Sequence, residues 1–156
     1  MPLVFDERQL LVAGVHDATV EEIEQLFGRF QRTDRRMTLF QKLQDYLAAL
    51  RRAAIGGSLI IDGSFIMPAI DQPEDIDMVL VLPEEWDMTA DLRPYQYNLV
   101  SKRRVKQEYR FDVFTVQKGS PDEQEWVAFF SKVNVKWCEA FGWPDDLRKG
   151  LVRVPI

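Results

Sequence analysis

Three aspartates have the type and spacing to do chemistry. Asp75 and Asp77 stand two apart at the head of Met78-Val79-Leu80-Val81-Leu82, a run of strand-forming residues that Pro83 stops. Side chains two apart on a strand share a face, so both carboxylates converge while Ile76 and Met78 turn to the other side. Two like charges held this close are costly unless a divalent cation relieves them. Oxygen ligands completed by substrate phosphates are what Mg²⁺ prefers. Asp112 is the third acid. It lies in Tyr109-Arg110-Phe111-Asp112-Val113-Phe114-Thr115-Val116, a predicted strand whose apolar neighbours imply burial, and a buried aspartate needs a partner. If this strand lies beside the Asp75 strand, the third carboxylate completes a cage for one or two divalent ions. A calcium loop counted from Asp71 fails, because Ile76 takes its sixth position and Leu82 its twelfth, where Gly and a bidentate Glu are required. The plainer alternative is a pair of surface carboxylates at a strand start.

A second motif precedes the acids. At Asp62-Gly63-Ser64 a strand ends in a residue without a Cβ followed by a small hydroxyl, so backbone amides and Ser64 Oγ can approach an anion such as phosphate. Taken alone, Gly-Ser is far more often an ordinary strand-exit turn and decides nothing. Other reactive types carry less. His16 is the lone histidine and reads as structural or exposed, and there is no His-Cys cluster for zinc. Ser64 lacks the Gly-x-Ser-x-Gly elbow of a hydrolase. Cys138, the single cysteine, reads as a buried thiol.

The elements that must position these residues follow from periodicity and end signals. Thr19-Val20-Glu21-Glu22 fits a capping box, which predicts a helix from Val20 to Phe27 closed by Gly28. A second helix is expected from about Thr33, with Met37, Phe40, Leu43, Leu47, Leu50 and Ala54 as its apolar stripe and a solvated charged face opposite. Gly56-Gly57 ends it, and Ser58 to Asp62 is a short buried strand. Ser120-Pro121-Asp122-Glu123 caps a later helix in which Trp126, Phe129, Phe130 and Val133 read as core rather than a base-stacking platform. Trp137, Phe141 and Trp143 lie in a tail of imperfect periodicity, where an exposed aromatic patch would suit a partner protein. The chain of 156 residues, 46% hydrophobic, suits one domain, residues 1–156. It divides into an N-terminal helical part (1–57), a catalytic sheet core (58–116) and a C-terminal helix and tail (117–156). The expected class is α+β, with N-terminal helices packed on a small mixed sheet. No run of about 18 apolar residues and no basic-then-apolar start is present, so a cytoplasmic protein without a membrane segment is expected. A formal charge of −5 argues against a general positive field for nucleic acid and requires any such contact to be focused.

Leu59-Ile60-Ile61-Asp62-Gly63-Ser64, then Asp75-Ile76-Asp77 roughly a dozen residues on, then Phe111-Asp112-Val113 resembles the signature of the nucleotidyltransferase superfamily. That superfamily includes DNA polymerase β, the CCA-adding enzymes and the minimal nucleotidyltransferases. The match spans residues 58 to 116 and looks nearest to small bacterial members, which often belong to toxin-antitoxin or phage-defence modules. The resemblance implies transfer of a nucleoside monophosphate from a nucleoside triphosphate, ATP among the candidates, to a hydroxyl of RNA, protein or a small molecule. Asp75, Asp77 and Asp112 would bind Mg²⁺ or Mn²⁺, Gly63 and Ser64 the phosphates, and Asp112 would also take the acceptor's proton. Two departures concern the anion site. Many minimal members carry Arg or Lys soon after Gly-Ser, where this chain has Phe65-Ile66-Met67-Pro68, and Pro68 shortens or displaces the helix expected there. Replacement charge is sought in Lys102, Arg103, Arg104 and Lys106, just before the Asp112 strand, although a solvated helix or hairpin end is the plainer account of that cluster. A degenerate domain that binds a nucleotide or a partner protein without turnover, and a metal-dependent phosphohydrolase, are the alternatives.

Overall fold

The computed structural model describes residues 3–74 and 76–156. In chain order the elements are β1 (Val15–Asp17), α1 (Val20–Phe27), α2 (Arg35–Arg52), β2 (Ser58–Asp62), a single 3-10 turn (Ser64–Ile66), β3 (Asp77–Leu82), α3 (Pro94–Val100), α4 (Lys102–Tyr109), β4 (Asp112–Gln117), α5 (Pro121–Phe130), α6 (Val135–Phe141) and β5 (Leu151–Pro155). The class is α+β with one mixed sheet in the order β1-β5-β2-β3-β4. β1 with β5 and β3 with β4 are parallel, whereas β2 runs antiparallel to both β5 and β3. No helix among the described residues is long and apolar enough to cross a membrane.

The first helices obey their local signals. Thr19 Oγ1 accepts from the Glu22 amide and Glu22 Oε1 accepts from the Thr19 amide, each at 3.1 Å, so α1 has the reciprocal cap and the bounds expected of it. α2 buries Leu39, Phe40, Leu43, Tyr46, Leu47 and Leu50. Two members of the expected stripe fall away: Met37 is 49% exposed, and Ala54 lies past the helix end with φ 57°.

The expectation that the charged face of α2 is solvated fails at Arg36, which is 1% exposed. Its guanidinium donates to the carbonyls of Phe27 at 3.1 Å, Phe65 at 2.5 Å, Met67 at 2.8 Å and Ile70 at 2.6 Å. Burial pulls its pKa down to about 10, with Asp71 acting in the opposite direction, so it stays protonated at neutral pH. Four oriented carbonyls replace the water that burial removes. Arg36 thereby ties the end of α1 to the segment that follows Gly63-Ser64.

Other boundaries move for identifiable reasons. β3 starts at Asp77, and Asp75 lies outside the described residues. β4 starts at Asp112 rather than Tyr109, because α4, capped by Ser101 and built of good helix formers, runs on to Tyr109 and closes with Arg110 at φ 67°. The sheet also extends beyond residues 58–116. β5 comes from the segment expected to be a tail and lies between β1 and β2, with Leu151, Val152 and Val154 buried. The segment 1–57 contributes the edge strand β1.

Candidate functional site

Strand register decides where the acids meet. Asp62 faces Asp77 across β2 and β3, and Asp77 faces Asp112 across β3 and β4. Residues directly opposite on neighbouring strands share a face, so the three carboxylates form one row across the end of the sheet. Two members, Asp77 and Asp112, were expected. The third is Asp62, which the sequence marks only as the strand residue before Gly63; the other expected acid, Asp75, lies outside the described residues.

The face that carries the row is covered by α5. Phe114, two residues beyond Asp112, stacks on Trp126 with centroids 4.0 Å apart, whereas Thr115 turns away and donates to the Val100 carbonyl at 2.9 Å. Beside the row lies a cavity of about 330 Å³ that takes in Asp62, Gly63, Ser64, Asp77 and Lys149, with Phe129, Lys132, Asn134, Lys136 and Trp137 from α5, α6 and the turn between them. Gly63, with φ 96° and ψ 178°, holds a conformation that only glycine adopts without strain, and it delivers Ser64 into the 3-10 turn. No longer helix forms there, as Pro68 predicted. Ser64 is buried, and its Oγ accepts from the Glu74 amide at 3.0 Å, which pins the strand exit to the segment that leads into β3.

The positive charge at this cavity comes from an unexpected place. Lys149 is 4% exposed; its Nζ lies 2.5 Å from Asp62 Oδ1 and donates to the Phe130 carbonyl at 2.8 Å. The chain is tightly held there, since a Cβ on Gly150 would sit 2.2 Å from the Val12 carbonyl oxygen. Lys136 is at the rim, with Nζ 2.9 Å from Glu74 Oε2 and 4.8 Å from the Trp137 ring centroid. Lys132 and Lys136 are neighbours in the chain, but nothing in the sequence groups them with Lys149, 13 positions further on, which joins them only through folding.

The basic cluster lies elsewhere. Lys102, Arg103, Arg104 and Lys106 ride the exposed surface of α4, and none of them lines the cavity beside Gly63-Ser64. Two of them do touch the sheet edge: Lys106 Nζ is 3.3 Å from Asp112 Oδ2, and Lys102 Nζ is 4.5 Å from the Phe114 ring centroid. Asp112 is not buried as expected, since its side chain is 33% exposed. It heads β4, the edge strand, so one side of it stays open.

Further expectations sort by burial. His16 Nε2 lies 2.5 Å from the Val12 carbonyl oxygen, a structural contact. Cys138 is buried, and burial followed by the Asp145 charge pushes its thiol pKa up. Phe130 and Val133 are core, but Phe129 is 59% exposed and departs from the core reading.

The donor chemistry at the row suits a hard cation. Asp77 and Asp112 bring carboxylate oxygens at adjacent register positions, without sulfur or imidazole, as Mg²⁺ or Mn²⁺ requires. Among the described residues no three His, Cys, Asp or Glu side chains converge on one point, so the fit needs a further ligand, which the sequence places at Asp75. No curated protein and no solved structure matches the chain. One family model does, over residues 3–155, and the chain belongs to that family of unknown function, DUF6932.

Proposed function

We propose that this chain transfers a nucleoside monophosphate from a nucleoside triphosphate to an acceptor hydroxyl. The observation that carries the reading is the register Asp77 opposite Asp112 on one face, beside a cavity that holds both Gly63-Ser64 and three lysines. Carboxylates and cations side by side suit a metal with a polyphosphate, because each charge set needs the other. Asp77 and Asp112, with Asp75, would hold Mg²⁺ or Mn²⁺. When bound, that ion neutralises phosphate charge and lowers the pKa of the attacking hydroxyl.

The protein's own groups do the rest. Gly63 and Ser64 seat the phosphates, and Lys149, Lys136 and Lys132 supply the charge that residues 65–68 lack. Asp112, open on one side, accepts the proton of the acceptor hydroxyl. The acceptor oxygen bonds to the α-phosphorus while the bond from that phosphorus to the bridging oxygen breaks, and pyrophosphate leaves with the electron pair. RNA, protein and small molecules remain the acceptor classes. A second reading, nucleotide binding without turnover, draws on the Lys106–Asp112 contact, which engages the proposed base.

The test offers each α-³²P-labelled nucleoside triphosphate with Mg²⁺ to wild type and Asp77→Asn, in the presence of total RNA and cell protein. Label should pass to an acceptor with wild type alone and stop on chelation, while the variant keeps its circular dichroism spectrum. Equal transfer by the variant, or its unfolding, would sink the assignment. Binding of labelled nucleotide without transfer would establish the second reading.

A further inference from the structure

The cavity is lined by two kinds of side chain: Asp62, Ser64, Asp77 and Lys149 are polar or charged, whereas Phe129, Val135 and Trp137 are apolar, with Lys132 and Lys136 among the latter in the chain. Phe129 is the odd member of its helix. Trp126 and Phe130 of α5 pack on Phe114 with centroids 4.0 and 5.6 Å from it, yet Phe129 stays 59% exposed with its ring edge-on to Trp126. Phe129 meets Trp126 and Phe130 edge-on and leaves the rest of its ring open beside the cavity, where a flat ligand can lie against it.

The segment that carries these rings is rigidly tied. The Lys132 amide donates to the Phe129 carbonyl at 3.3 Å, the Val133 amide to Leu147 at 3.1 Å, and Asn134 Oδ1 caps α6 by accepting from the Lys136 amide at 3.0 Å. Trp137 is ordered further by the Lys136 ammonium over its ring. The backbone that carries both rings is therefore held by its own hydrogen bonds, which limits what must be ordered on binding.

We propose that Phe129 and Trp137 form the wall on which the base of a bound nucleotide stacks, with its phosphates directed to Lys149. This rests on the reading of the cavity as a nucleoside triphosphate site. A nucleotide matches the cavity in kind, having a flat aromatic ring at one end and concentrated negative charge at the other. Inorganic polyphosphate would use Lys149 and leave the rings idle. A volume of about 330 Å³ is in the range of small-ligand pockets. Stacking does not depend on base identity, so Phe129 and Trp137 supply affinity for any nucleotide rather than choice among them.

The experiment titrates wild type, Asp77→Asn, Phe129→Ala, Trp137→Leu and Trp137→Phe by calorimetry. The ligands are ATP, GTP, CTP and UTP in turn, then inorganic tripolyphosphate, all with Mg²⁺. Phe129→Ala and Trp137→Leu should each weaken the best nucleotide about tenfold and move tripolyphosphate by less than about twofold. Trp137→Phe should retain most of the affinity. Because Phe129 is exposed, its variant stays informative even if Trp137→Leu fails to fold. Unchanged nucleotide affinity in Phe129→Ala, or an equal loss for tripolyphosphate, overturns the stacking wall. In those cases tripolyphosphate binding that is lost in Asp77→Asn would still uphold the site. Wild type binding neither ligand overturns both.

Discussion

Positive charge flanks the acid row on both sides, but in two physical states. On the α4 flank, Lys102, Arg103, Arg104 and Lys106 crowd one helix and remain in water. On the cavity flank, Lys132 and Lys136 are exposed as well, but Lys149 arrives from 13 positions further along the chain and is sealed against Asp62. Charges in water are screened by solvent and salt and hold their neighbours weakly. A buried charge cannot be left uncompensated, so its surroundings must be built around it. The contrast teaches that the densest charge in a sequence need not mark the strongest field in the fold. Arg36 repeats the lesson behind the cavity, where backbone carbonyls do what Asp62 does for Lys149.

The contrast can be broken or sharpened by substitution. The largest effect should come from Arg36→Met, which leaves four buried carbonyls without their donor; we expect about 4 kcal/mol lost in urea denaturation. A loss below about 1 kcal/mol would mean that the segment after Gly63 holds itself in place. Lys149→Met removes the buried ammonium that faces the Asp62 carboxylate and should cost about 3 kcal/mol, and adding Asp62→Asn should restore part of it. Additive single effects in that double-mutant cycle would show that the pair is not coupled.

Behind the α4 flank, Tyr46 donates to the Leu99 carbonyl at 2.6 Å and lies edge-on to Tyr109, the last residue of α4. Tyr46→Phe should cost about 1 kcal/mol. Burial, and then the neighbouring Tyr109, raises the Tyr46 pKa well above its ordinary 10.0. A pKa higher in the folded than in the unfolded state gives stability that is complete below the unfolded value and is lost as pH rises above it. The wild-type urea midpoint should therefore fall above pH 10, and fall less in Tyr46→Phe. A parallel fall in both proteins would place the titration elsewhere. The smallest change belongs to Arg103→Ala with Arg104→Ala, which should stay within about 0.5 kcal/mol and leave nucleotide affinity unaltered. A loss matching that of Lys149→Met would erase the difference between the flanks.

The parts of this architecture that were legible are those carried by neighbours in the chain. The Thr19 box set α1, Gly63 marked the turn after β2, Pro68 forbade a long helix there, and the run from Asp77 to Leu82 had the composition of a buried strand. Parts of the candidate site that escaped notice depend on distant partners. Phe129 has helical spacing like that of Phe130, yet one is exposed at the cavity mouth and the other packs on Phe114. Asp112 has apolar neighbours, yet its place at the head of an edge strand leaves it half open.

Local order in the chain settled where α1, β2 and α5 begin, because caps, turns and periodicity act over a few residues and stabilise the same geometry wherever the segment sits. Register and burial were settled by the tertiary structure alone. Asp62 meets Lys149 only after β5 enters the sheet between β1 and β2 and brings the preceding lysine to the end of β2. That meeting depends on pairing between segments some ninety residues apart in the chain, whose free energy comes from sheet hydrogen bonds and shared apolar burial.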